Sequence, residues 1–160
     1  DTSISRSSGS IGDATTVGSS TGQNCTIVPA FADTNVVVYA FAKDDAKIAI
    51  AEGILEKQPT ISVQVVSEFL NVCRVKLGMD VPTRHKLARE LIAGCNVVAL
   101  EPRLVEKAME VEAQGQISYW DALIVAAALL SGCDTLYTED LQQGRTFDGQ
   151  LTVVNPFVAA

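Results

Sequence analysis

From about residue 27 onward, apolar runs of three to five residues alternate with stretches of helical period. AFA at 30–32, TIS at 60–62, NVVAL at 96–100, TLY at 135–137 and LTVVN at 151–155 read as strands, with Pro29 delaying the start of the first. Strands that alternate with helices argue for an α/β fold with a mostly parallel sheet. No internal repeat interrupts the pattern.

The helices carry their own punctuation. Residues 44–57 place Ile48, Ala51, Ile54 and Leu55 on one face. Ser62 is positioned to cap a helix that runs to Leu77 and stops at Gly78. Asp80 and Pro82 open another, reaching about Ala93. Pro102 starts a helix to about Gln114, and Ser118 caps a strongly apolar one from Tyr119 to Leu130. Residues 1–26 are different: Ser, Thr and Gly dominate and no apolar period appears. They read as a flexible tail ahead of one domain over 27–160. The tail lacks a basic segment followed by an apolar one, so it is not a recognisable secretory signal.

Within this frame four acids sit beside or inside apolar stretches: Asp33, Glu68, Asp121 and Asp140. Acids are seldom buried without a partner, and few basic residues lie near these in sequence. Asp33 and Asp140 come at or just past the carboxyl ends of predicted strands, where open α/β sheets bind ligands. Glu68 and Asp121 lie early in their helices. If all four converge, they would raise one another's pKa values unless a cation such as Mg²⁺ or Mn²⁺ stands among them. Each acid also has an ordinary explanation. Asp33 and Asp140 suit turns, Glu68 suits a helix surface, and Ser118-x-x-Asp121 resembles a capping box. Glu139 reads as solvent-facing. Only the set of four is specific.

Composition removes several classes. The chain of 160 residues is 48% hydrophobic and 19% charged, as in soluble globular domains. Its longest near-continuous apolar run, Ala122–Leu130, is far short of the about 20 residues that span a bilayer. A net charge of −7 argues against a broad basic face for nucleic acid, though not against a local basic strip. Cys25, Cys73, Cys95 and Cys133 form no CxxC pair and no zinc spacing; they read as free thiols in a reducing compartment. The single histidine, His85, lies in the charged run PTRHKLARE, so no nucleophile–histidine mechanism is supported.

The segments FADTNVVVYA, VSEFLNV, SYWDALIVAAALLSGCDTLYTEDLQQG and VNPF together resemble a PIN domain, and among these the toxin ribonucleases of the VapC type. The resemblance covers about residues 30–158. It implies a three-layer α/β/α sandwich and an Mg²⁺- or Mn²⁺-dependent endoribonuclease. It maps the metal-binding acids onto Asp33, Glu68, Asp121 and Asp140, and supporting roles onto Thr138 and Asn35. It further implies a cytoplasmic toxin that pairs with a small antitoxin protein, forms a homodimer and acts on RNA. The extra residues before the DTN strand depart from the family's usual start and inherit nothing from it.

The expected chemistry is hydrolysis of a phosphodiester by metal-activated water, with Asp33, Asp121 and Asp140 as main ligands and Glu68 completing the shell or orienting the nucleophile. Arg74, Lys76, Arg84, Lys86 and Arg89 fall on two neighbouring helices as a candidate phosphate strip, with Arg145 a further candidate. Trp120 and Tyr119 could stack on a base, but beside Asp121 on an apolar helix they read first as core. Receiver and haloacid-dehalogenase-like sites fit poorly: no lysine follows Lys107, and Asn35 stands where a second Asp would be needed. A non-catalytic protein-binding PIN module, and a PIN nuclease acting on other nucleic acid outside a toxin–antitoxin system, stay open.

Overall fold

The computed structural model describes residues 29–43 and 45–158. The tail expected over 1–26, and Cys25 within it, lie outside the described residues. In chain order the elements are β1 (Ala30–Ala32), α1 (Thr34–Tyr39), α2 (Asp45–Glu56), β2 (Thr60–Ser62), α3 (Val63–Val75), α4 (Val81–Gly94), β3 (Asn96–Val98), α5 (Pro102–Gly115), α6 (Tyr119–Leu130), β4 (Thr135–Tyr137), β5 (Thr146–Phe147) and β6 (Leu151–Val154).

The sheet order is β3-β2-β1-β4-β6-β5. Every pairing is parallel except the β5–β6 edge. From β1 the chain steps outward to β2 and then β3, and afterwards returns to the other side of β1 as β4. Parallel crossovers are right-handed. That rule sends α1–α4 to one face of the sheet and α5–α6 to the other, which gives the three layers. The contacts agree: α1 packs on α2 and α3, and α3 on α4, while α5 runs along α6. The reversal of direction falls between β1 and β4, so the switch point of the sheet lies between their carboxyl ends.

Local sequence chemistry sets the boundaries. Ser62, Asp80 and Ser118 accept from amides in the first turns of α3, α4 and α6. Glu101 makes no such bond, but Pro102 pre-sets the first turn of α5. α3 ends at Val75, two residues short of expectation, and Gly78 follows at φ +60, a conformation that glycine adopts without strain. α1 and β5 have no counterpart in the pattern reading. α1 is a short, β-branched helix whose start is set by Asp33. β5 has only two residues.

The core is continuous through the sheet. Phe31, Ile61, Leu136, Leu151 and Val153 are fully buried on neighbouring strands. α6 is buried from Ala122 to Leu129, as expected for a helix apolar on all sides. Leu136 sits opposite Phe31 at the centre of the sheet. Leu136→Ala should therefore cost about 2–5 kcal/mol in urea denaturation. A loss below about 1 kcal/mol would mean that β4 is not central.

Candidate active site

β1 and β4 end side by side, with Ala32 opposite Tyr137. The Asp33 amide continues the ladder by donating to the Tyr137 carbonyl at 3.0 Å. The next side chains on both strands then meet. Thr138 Oγ1 donates to Asp33 Oδ2 at 2.8 Å, while the Thr34 amide donates to Asp33 Oδ1 at 2.7 Å. Asp33 is thus both the N-cap of α1 and a buried carboxyl, 5% exposed. Burial drives its pKa up to about 7; the two hydrogen bonds oppose that rise, and the charges of Asp140 and Glu68 add to it.

The other acids are placed by the same few residues. Thr34 Oγ1 donates to Glu68 Oε2 at 2.6 Å, and Gln64 Nε2 donates to Glu68 Oε1 at 2.9 Å. Asn35 Nδ2 donates to Asp140 Oδ2 at 2.9 Å and to Thr138 Oγ1 at 3.2 Å. The Asp140 amide donates to Thr138 Oγ1 at 3.1 Å, closing the turn. Asp121 stands in the first turn of α6, where its amide donates to Ser118 Oγ at 3.1 Å. Its carboxyl is raised by burial first; a hydrogen bond from Ser118 opposes that rise, and the charges of Asp140 and Glu68 add to it. Asp33 and Asp121 therefore each feel Asp140 and Glu68, and the six residues Asp33, Asn35, Glu68, Asp121, Thr138 and Asp140 form one neighbourhood.

No ion pair among the described residues reaches any of the four acids. Nor, among the described residues, do three of them stand together as a finished ligand cage. The donor set is nevertheless all carboxylate oxygen, with no thiol or imidazole in it. That suits a hard divalent cation that keeps several waters, as Mg²⁺ does. The hydrogen bonds leave lone pairs free, because each carboxylate oxygen accepts at two sites. Mutual repulsion, burial and missing counter-charge all ask for a cation here, so the residues fit one.

Some expectations change. Glu139 is not left to solvent: Tyr39 Oη donates to its Oε1 at 2.8 Å and Lys47 Nζ lies 3.4 Å from its Oε2. Phe157, from the terminal VNPF segment, meets the Tyr39 ring edge-on at 4.7 Å. These contacts hold the Glu139 side chain, while its amide donates to Asn35 Oδ1 at 3.4 Å. Arg145 donates to the Gly115 carbonyl and lies over Phe147, so it fastens the end of α5. Of the basic strip, Arg84 donates to the Met79 carbonyl and Lys86 faces Glu90, whereas Lys76 lines a cavity shared with Glu68. Trp120 is 65% exposed and not core. Thr34 and Gln64 were missed. The four-residue spacing of Gln64 and Glu68 on a helix was the available signal.

Residues 30–147 match the family described as PIN domain. No curated protein matches the sequence. Among solved structures, a toxin–antitoxin complex from Klebsiella pneumoniae is 21% identical with a TM-score of 0.61, covering 79% of this chain and 97% of that one. VapC20 of Mycobacterium tuberculosis, described as a sarcin–ricin loop cleaving toxin, is 20% identical with a TM-score of 0.58, covering 69% and 89%. FitAcB from Neisseria gonorrhoeae is 18% identical with a TM-score of 0.60, covering 80% and 98%. At these identities the likeness is one of fold.

The pKa of Asp33 yields a stability prediction. Its folded value, about 7, lies above the ordinary 3.8 of an aspartate, so the fold favours the protonated form. The stability this contributes is complete below about pH 3.8 and is lost as pH rises through about 7. In chelator, Asp33→Asn should be more stable than the parent at pH 7.5, by an amount on the order of a few kcal/mol, and so melt at a higher temperature. The gap should close towards pH 3.5. Melting curves across that range decide it, and a gap independent of pH would contradict the burial of an ionisable Asp33.

Proposed function

The chain belongs to the PIN domain family, and from that premise we propose that it is a divalent-metal-dependent endoribonuclease, the toxin of a toxin–antitoxin pair. The observation that carries this reading is that Asp33 and Asp121 each feel the charges of Asp140 and Glu68, while among the described residues no ion pair reaches any of the four. A protein-binding module has no use for a buried carboxyl raised to about 7 beside two further acids. Such a group is an expected mark of a working site.

In this reading Asp33, Asp121 and Asp140 hold the ion, directly or through water. When bound, a Mg²⁺ or Mn²⁺ ion supplies Lewis acidity and makes water a nucleophile at neutral pH. Glu68 is fixed at both oxygens, by Thr34 and by Gln64. It orients the attacking water and accepts its proton. Asn35 and Thr138 keep Asp140 and Asp33 from turning away from the pocket. No histidine takes part. The neighbours' descriptions as toxin–antitoxin complexes support a small antitoxin protein as partner, and an RNA-cleaving relative supports RNA as substrate. A homodimer and a cytoplasmic location go with that assignment. Among the described residues no helix is long and apolar enough to cross a membrane.

Purified protein should cleave single-stranded RNA in Mg²⁺ or Mn²⁺ and stop in chelator. Asp33→Asn and Asp121→Asn should each lose at least about 100-fold with the fold retained, and Asn35→Ala about 10–100-fold, as for a residue that orients a ligand. Full cleavage by folded Asp33→Asn protein would end the assignment.

A further inference from the structure

Trp120 is the only tryptophan of the chain, and it stands in solvent beside the acids. It is the second residue of α6 and immediately precedes Asp121. The ring of Tyr119 meets it edge-on, with centroids 5.6 Å apart at 67°. Its carbonyl accepts from Gln64 Nε2 at 3.3 Å, and the same nitrogen donates to Glu68 Oε1 at 2.9 Å. One amide group on α3 therefore ties the backbone of the exposed aromatic to a carboxylate of the site.

α3 continues the connection on the other side of Glu68. Gln64, Glu68, Asn71, Val72 and Lys76 recur at helical spacing, so they form one stripe. Beyond Glu68 this stripe borders an open cavity of about 680 Å³, whose lining includes Thr34, Tyr39, Asn71, Val72 and Lys76. Asn71 is steadied by Arg74 Nη2, which donates to its Oδ1 at 3.2 Å. Gln64 to Lys76 spans about 18 Å at about 1.5 Å of rise per residue. The order along the stripe is an exposed aromatic, the acids, a largely apolar cavity, and a cation.

We propose that this stripe is the track of a single RNA strand, with a base stacked on Trp120 on one side of the cut. The nucleotide on the other side occupies the cavity, its phosphate near Lys76. The inference rests on the nuclease reading and adds to it what holds the bases. The acids and their ion address only the phosphate. An indole face accepts any base, so the contact favours a strand without fixing its sequence. In a duplex the base faces are already stacked, so the track selects single strands, loops or bulges. Gln64 is a positioning residue that keeps the Trp120 segment and Glu68 in register.

The test uses the lone tryptophan as its own reporter. Full-length Asp33→Asn protein, which holds RNA uncut, is titrated in Mg²⁺ with a short mixed-sequence single-stranded RNA while tryptophan fluorescence is followed. Saturable quenching is expected, weaker with the same sequence as a duplex. In the cleaving protein, Trp120→Ala should raise KM about 5- to 150-fold, the range of one base–aromatic stack, and leave kcat close to the parent's. Trp120→Tyr should restore most of the loss, and Lys76→Met should raise KM with a shallower salt dependence. An unchanged KM in Trp120→Ala, with cleavage intact, overturns the track and leaves the nuclease reading standing. Quenching by RNA without cleavage in any divalent ion supports the track and overturns the nuclease reading. A change in sedimentation mass on Trp120→Ala, with RNA affinity untouched, overturns the track by assigning Trp120 to contact with a second copy.

Discussion

Asp33 holds its carboxyl between two donors in a place water scarcely reaches. The Thr34 amide holds one oxygen and the Thr138 hydroxyl the other. The first bond starts α1, and the second joins β1 to β4 at the switch point of the sheet. A charge there is costly by itself, which is why its pKa climbs to about 7. The rest of the site is arranged around that cost. Thr34 continues outward to Glu68, Thr138 continues to Asn35 and Asp140, and Asp121 approaches from α6. In the proposed reading a cation would relieve the four acids together, whereas a single lysine would relieve one or two. The fold supplies the position and the acids supply the demand for an ion.

Much of this could be read before any coordinates. The alternation of strand and helix, with Ser62, Asp80 and Ser118 at helix starts, determined the element order because capping chemistry is local. The parallel sheet followed, but the crossover rule fixes only which face each helix covers; that β4 lies beside β1, and so Thr138 beside Asp33, came from the structure. α1 was not legible. Its valines favour strands by themselves, and only the Asp33 cap and its packing on α3 make them helical. β5 was too short to have a period. Tail residues 1–26 lie outside the described residues and remain an expectation.

The individual acids were less legible than the set. Asp121 does receive the Ser118 cap expected of an ordinary helix start, and it feels the charges of Asp140 and Glu68 as well. Those two roles are compatible because the Ser118 hydroxyl engages both the Asp121 amide and its carboxyl, and a carboxylate has lone pairs beyond that one bond. Trp120 was misread as core because hydrophobicity does not distinguish a buried ring from one held at a rim. Glu139 was misread as solvated because its partners, Tyr39 and Lys47, come from distant parts of the chain. Arg145 looked like a phosphate ligand by its position after the turn, yet its nearest acceptor is the Gly115 carbonyl. In each case the deciding contact is long-range, and spacing along the chain carries no trace of it.

The most direct test of the central claim, one cation pocket built on Asp33, is calorimetric titration of the metal-free protein with Mn²⁺ in two buffers of different ionisation enthalpy near pH 7. An ion that enters this pocket displaces the proton that Asp33 partly retains at that pH. The account predicts saturable binding accompanied by proton release, with both the affinity and the released proton lost in Asp33→Asn. Binding of equal affinity in Asp33→Asn, or no binding to the parent protein, would contradict it.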